Sequence, residues 1–139
     1  MEIAPGSTAT SARRLTLWAG RLIVAISLLH IVFFVTVSWE YLPSWFAGDL
    51  WANEPFGADM SQAQAHFWVL LGSFAVPLLL LGAVIARSAR EDRPLPAYVT
   101  WTLTAWVLVC ALLLEPAGFP FLLVAAGMLV AAEVSRRRA

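Results

Sequence analysis

Lysine is absent from this chain of 139 residues, cysteine occurs once, and charged residues of every kind make up only 13% of it. A soluble domain of average composition carries about 25% charge. The chain is therefore short of the residues that a wholly water-exposed surface requires. The lone Cys110 leaves no partner for an intrachain disulfide or a CxxC redox pair. No glycine-rich phosphate loop, metal-ligand cluster or nucleophile-base pair is spelled anywhere, so no metal, cofactor or nucleic-acid partner is expected and a catalytic reading has little to build on.

What is present is apolar. Hydrophobic residues reach 60% and the mean hydropathy is +0.77, which predicts an all-α, polytopic membrane protein forming one domain. Four apolar runs mark the spans, at about 15–37, 66–86, 98–115 and 119–134. At 1.5 Å per residue the first two cross a hydrocarbon core of about 30 Å, whereas the last must run on toward the C-terminal arginines. The predicted architecture is a four-helix transmembrane bundle with a short amphipathic helix on its outer surface.

The charges set the orientation. All basic residues are arginines, in three clusters: Arg13, Arg14 and Arg21; Arg87, Arg90 and Arg93; Arg136, Arg137 and Arg138. Glu40, Asp49, Glu54 and Asp59 lie between the first two clusters with no basic residue among them. By the positive-inside rule all three arginine clusters, and both chain ends, face the cytoplasm. Residues 1–14 read as a disordered cytoplasmic tail, 15–135 as the membrane domain and 136–139 as a basic tail that anchors topology and can touch anionic lipid. The SARRLTLW stretch looks like a twin-arginine export signal. Against that reading, the run after it is of anchor length, Arg21 interrupts its start and no A-x-A site follows.

The outer segment 38–65 is acidic and aromatic, with Trp39, Tyr41, Trp45, Phe46 and Trp51 suited to the headgroup level. Pro43 and Ser44 predict a short interfacial helix with Ser44 as its N-cap. Asp59-Met60-Ser61-Gln62 has the form of a capping box, which starts the second membrane helix near Met60. Pro77 falls inside that helix and predicts a kink. Glu115-Pro116-Ala117-Gly118 is a tight turn, so the last two spans form an antiparallel hairpin.

One ionisable residue lies at depth. Thr16, Gly20, Ile23, Ser27, His30 and Phe34 share about 80° of one helix face, a seam of small or polar residues of the kind through which membrane helices approach each other. His30 therefore faces the bundle. An imidazole there is either interhelical glue, bonded to Ser27, to a backbone carbonyl one turn back or to a threonine of the third span, or a group that binds a ligand or moves a proton. Thr100, Thr104, Val107 and Ala111 make a comparable stripe, and Gly127 with Ala131 forms a small-xxx-small pair on the last helix. His30, Ser27, His66 and Glu115 are the candidate ligand-binding residues, and His30 is the one candidate acid or base. A bis-histidine haem is disfavoured because His30 and His66 lie at different depths. Arg21 is expected to snorkel or to pair with Glu133.

The segments GRLIVAISLLH, FWVLLGSFAVPLLLLG, RPLP and EPAGFPFLLVAAGML resemble a family of small four-helix bacterial membrane proteins of unknown function, over about residues 18–132. The resemblance implies four helices, a bacterial plasma membrane and a histidine at the position of His30. It implies no reaction. The functional expectation is a non-enzymatic bundle whose partners are the lipid bilayer and a lipophilic ligand, a second copy or another membrane protein. Two other classes compete with it. One is a membrane enzyme acting on a lipid or isoprenoid through His30. The other is a small proton-coupled transporter, although the first helix of this chain lacks the glutamate that such transporters use.

Overall fold

The computed structural model describes residues 5–51, 60–113 and 118–138, and every regular element among them is helical. The order is α1 (Pro5–Val37), α2 (Leu42–Ala47), α3 (Gln62–Leu70), α4 (Ala75–Arg90), α5 (Ala97–Leu113) and α6 (Phe119–Arg137). Two 3-10 turns, Trp39–Tyr41 and Asp49–Trp51, flank α2. Three stretches are long and apolar enough to cross a membrane: Thr10–Val37, Gln62–Arg90 and Phe119–Arg137. The shorter α5, of 17 residues, spans about 26 Å.

From Pro5 onward the segment expected to be a disordered tail is the beginning of α1, whose 33 residues run unbroken to Val37. Ala12 is buried and Arg13 reaches α4. These tertiary contacts order a stretch whose own composition carries no helical pattern.

α1 is the central helix: it packs along α4 on one side and α6 on the other, while α5 packs on α6. Its buried positions are Ala12, Ala19, Gly20, Ile23 and Ser27, so the predicted seam does face the bundle. Gly20 makes that possible, because a Cβ there would lie 2.6 Å from Ala86 N and 2.7 Å from Gly82 O. On α5 the buried residues Thr100, Leu103, Val107 and Ala111 follow the predicted stripe. On α6 the prediction picked the wrong face. Gly127 and Ala131 are exposed, and the buried side is Leu122, Ala125, Ala126, Leu129, Ala132 and Glu133. Outward, Leu29, Phe33, Leu80, Val84, Leu112 and Phe121 are exposed, an apolar exterior suited to lipid rather than water.

The second apolar run is two helices rather than one kinked helix. Pro77 has no N–H to offer the carbonyl of Ser73 and its ring crowds that carbonyl, so the interruption falls at Leu71–Phe74, before the proline rather than at it. Ser73 bridges the gap: its hydroxyl donates to Leu70 O at 2.7 Å and accepts from Ala75 N at 3.2 Å. The capping box of α3 is displaced from the predicted one. Ser61 and Gln64 form it, each side chain bonding the other's backbone N–H. In α2 the N-cap is Tyr41, not Ser44. Pro43 occupies the first turn and the Ser44 hydroxyl donates back to Tyr41 O at 2.9 Å.

Candidate functional site

His30 lies on α1 opposite the α3–α4 break. A helix end leaves its last carbonyls without intrahelical donors, and the end of α3 is met from two directions. Ser73 Oγ takes Leu70 O, and His30 Nε2 donates to Val69 O across 3.0 Å. Since a carbonyl only accepts, Nε2 carries the hydrogen. The ring also contacts Phe34, with centroids 4.5 Å apart. The acceptor is thus a carbonyl of α3, not Ser27, a carbonyl one turn back on α1 or a threonine of the third span as expected. Ser27 Oγ, by contrast, is buried and has no hydrogen-bond partner among the described residues.

His66 belongs to a different cluster. Its Nδ1 is 3.1 Å from Oγ of the buried Ser38, and its ring stacks on Tyr41 at 4.1 Å. Burial, and then the neighbouring Glu40, hold the Tyr41 hydroxyl above its ordinary pKa. Trp45 adds a bond from Nε1 to Ala63 O at 2.9 Å and an edge contact to Phe67. His30 and His66 therefore hold α3 from two points, one against α1 and one against the 38–47 return. Glu115, the fourth predicted residue, lies outside the described residues.

The opposite end of the bundle holds a cavity of about 220 Å³ that the sequence did not announce. Its rim includes Arg13, Asp92, Arg93 and Arg136. Thr100 and Glu133 line it too, and Leu95 and Leu129 supply apolar wall. Arg13 is held by α4: Nε donates to Ala89 O at 2.9 Å, one Nη to Arg90 O at 3.4 Å, and the other pairs with Asp92 at 3.0 Å. The end of α4 has no glycine, and Asp92 takes the left-handed conformation instead, at φ 53°. Arg13 supplies donors for carbonyls that such an end leaves exposed. Glu133 is buried and accepts from both Arg136 and Arg137. Arg21 pairs with neither acid; its guanidinium sits 4.9 Å from the Trp18 ring centre.

A second concavity, of about 330 Å³, separates α4 from α5. Phe74, Pro77, Leu78, Leu103 and Trp106 line it. Phe74, Trp106 and Phe119 close one end edge to face, at 5.3 and 5.4 Å. The groove and the cavity adjoin consecutive residues of α5, with Val99 on the former and Thr100 on the latter.

Among the described residues every regular element is helical and three stretches are long and apolar enough to cross a membrane, the features of a helical membrane protein. Residues 14–136 match the model of a family of unknown function, DUF6463, and the chain belongs to that family. Neither the curated proteins nor the solved structures yield a match.

Proposed function

We propose that this protein is a four-span bundle of a bacterial plasma membrane, with both ends cytoplasmic, that holds a lipophilic molecule between α4 and α5. The observation that carries the reading is the groove itself. α4 packs on α1 and α5 on α6, and Phe74, just before α4, meets Trp106 of α5 edge to face. Apolar walls of this kind suit an acyl or isoprenoid chain.

Orientation and span number are supported by separate observations. Arginines from all three clusters surround one cavity at one end, which the positive-inside rule assigns to the cytoplasm. α5 alone, at about 26 Å, is slightly short of a hydrocarbon core of about 30 Å, a deficit that a few further residues or local thinning accommodates. His30 is better suited to structure than to chemistry, because its Nε2 hydrogen is already committed to Val69 O. Mass spectrometry of the detergent-purified protein, with Leu103→Trp beside it, tests the groove. A retained amphiphile that the tryptophan expels supports the reading; equal retention by both proteins, or none by either, rejects it.

A further inference from the structure

We propose that the arginine-end cavity binds a phosphate-bearing anion, its guanidinium groups taking the phosphate of an amphiphile whose chain lies in the neighbouring groove. The inference rests on the lipophilic-ligand reading for the chain, but the anion site stands on its own residues. Three guanidiniums reach the cavity from three parts of the sequence: Arg13 from α1, Arg93 from the α4–α5 connection and Arg136 from α6. Two carboxylates, Asp92 and Glu133, share the wall. Each is already met by arginine, Asp92 by Arg13 and Glu133 by Arg136 and Arg137. The lining holds one more arginine than carboxylate; just outside it Arg137 meets Glu133 and Glu91 meets Arg93, so these two neighbours leave the surplus as it is.

Donors remain for a ligand. A guanidinium has five N–H groups, of which Arg93 directs one toward Glu91 at 3.4 Å. Arg136 turns one Nη to Glu133. Planar forks of this kind match phosphate oxygens bidentately. The wall beneath them is mostly apolar, with Leu95, Leu129 and Ala132 interrupted by Thr16, Thr100 and the arginine-paired Glu133, so the site has a charged rim over a largely oily floor. A charged rim over such a floor suits a headgroup joined to a chain, and the groove lies on the neighbouring residue of α5, Val99 beside Thr100. With this end in the cytoplasm, the leaflet beside it is the one rich in anionic lipid.

The test uses the full chain in nanodiscs. Phosphatidylglycerol is compared with phosphatidylcholine, and inorganic phosphate is titrated against protein in phosphatidylcholine. The variant Arg93→Gln/Arg136→Gln leaves Glu133 paired with Arg137. As a control, Arg14→Gln/Arg138→Gln removes the same charge from exposed positions outside the cavity. We expect phosphatidylglycerol to raise the melting temperature above that in phosphatidylcholine, and the cavity variant to weaken the binding by about tenfold or more while the control weakens it little. Inorganic phosphate acting alone through the same arginines assigns the site to a free anion and still upholds the phosphate chemistry. Equal response to both lipids with no response to phosphate overturns the proposal, as does an equal loss in cavity variant and control. Leu103→Trp separates the two readings: loss of the bound chain with the phosphate response intact locates the ligands independently, and failure of the groove leaves the arginine result standing.

Discussion

Gly20 and Gly82 meet backbone to backbone at the α1–α4 crossing. A Cβ on Gly20 would lie 2.7 Å from Gly82 O, and one on Gly82 would lie 2.9 Å from Gly20 O. Neither glycine has a positive φ; it is the missing side chain that matters. Close approach of this kind replaces, in lipid, the hydrophobic driving force that water provides elsewhere.

Gly20→Ala should therefore destabilise the bundle. Overpacking against backbone costs about 1–3 kcal/mol, against a helix-propensity gain of at most about 1 kcal/mol. Gly127→Ala is the matched control, since nothing lies within 4 Å of its Cβ position. Its melting temperature should stay level or rise, and a fall equal to that of Gly20→Ala would refute the crossing.

The bond from His30 to Val69 distinguishes among replacements. A glutamine amide can occupy the place of Nε2, whereas asparagine mimics the nearer ring nitrogen and falls short. His30→Gln should keep near-native stability, with His30→Asn and His30→Leu each losing about 0.6 to 1.7 kcal/mol. Hydrogen exchange at residues 71–74 should quicken in the latter two. If His30→Gln folds normally yet abolishes ligand retention, the imidazole has a role beyond its bond.

Topology is open to labelling in a Cys110→Ala background. Phe46→Cys, at a residue 91% exposed, should react with an impermeant thiol reagent added outside cells. Pro94→Cys, between α4 and α5, should react only after permeabilisation. The reverse pattern rules out the orientation proposed above.

Glu91 titrates below the usual carboxylate range. Its hydrogen bond from Arg87 is the main cause, opposed by burial and aided by the charges of Arg87 and Arg93. A carboxyl with a lowered folded pKa stabilises the fold above its ordinary value, and that contribution disappears as the pH falls through the lowered one. Carbon-detected titration of Glu91 should show late protonation in the native protein and a return toward the ordinary value in Arg87→Gln. An unchanged midpoint in the variant rejects the assignment.

The α1 seam was legible because Gly20, Ser27 and His30 are conspicuous among bulky neighbours and recur at helical spacing. α6 was harder to read. It carries small residues on two faces, and size alone does not say whether Gly127 and Ala131 or Ala125, Ala126 and Ala132 turn inward. The break before Pro77 was detectable but misplaced, since the bond a proline removes belongs to a carbonyl four residues earlier. Arg13 as a cap for α4, and the groove lined by Phe74 and Trp106, depend on contacts between segments far apart in the chain, for which local pattern offers no signal. The Ser61 capping box was missed by register, because Asp59 offered a competing start two residues upstream.

The interruption at Leu71–Phe74 also bears on how the protein meets bilayers of unequal thickness. The stretch Gln62–Arg90 has 29 residues, about 44 Å if straight, against a hydrocarbon core of about 30 Å. A rigid rod of that length answers a thin membrane only by tilting as a whole, which would drag Gly82 across Gly20. The break lets α3 take its own direction instead, fixed by His30 against α1 and by His66 against Ser38, while Ser73 holds the carbonyl that the helix has released. The length in excess of the core therefore falls on the α3 side of the break, away from the crossing of Gly20 and Gly82.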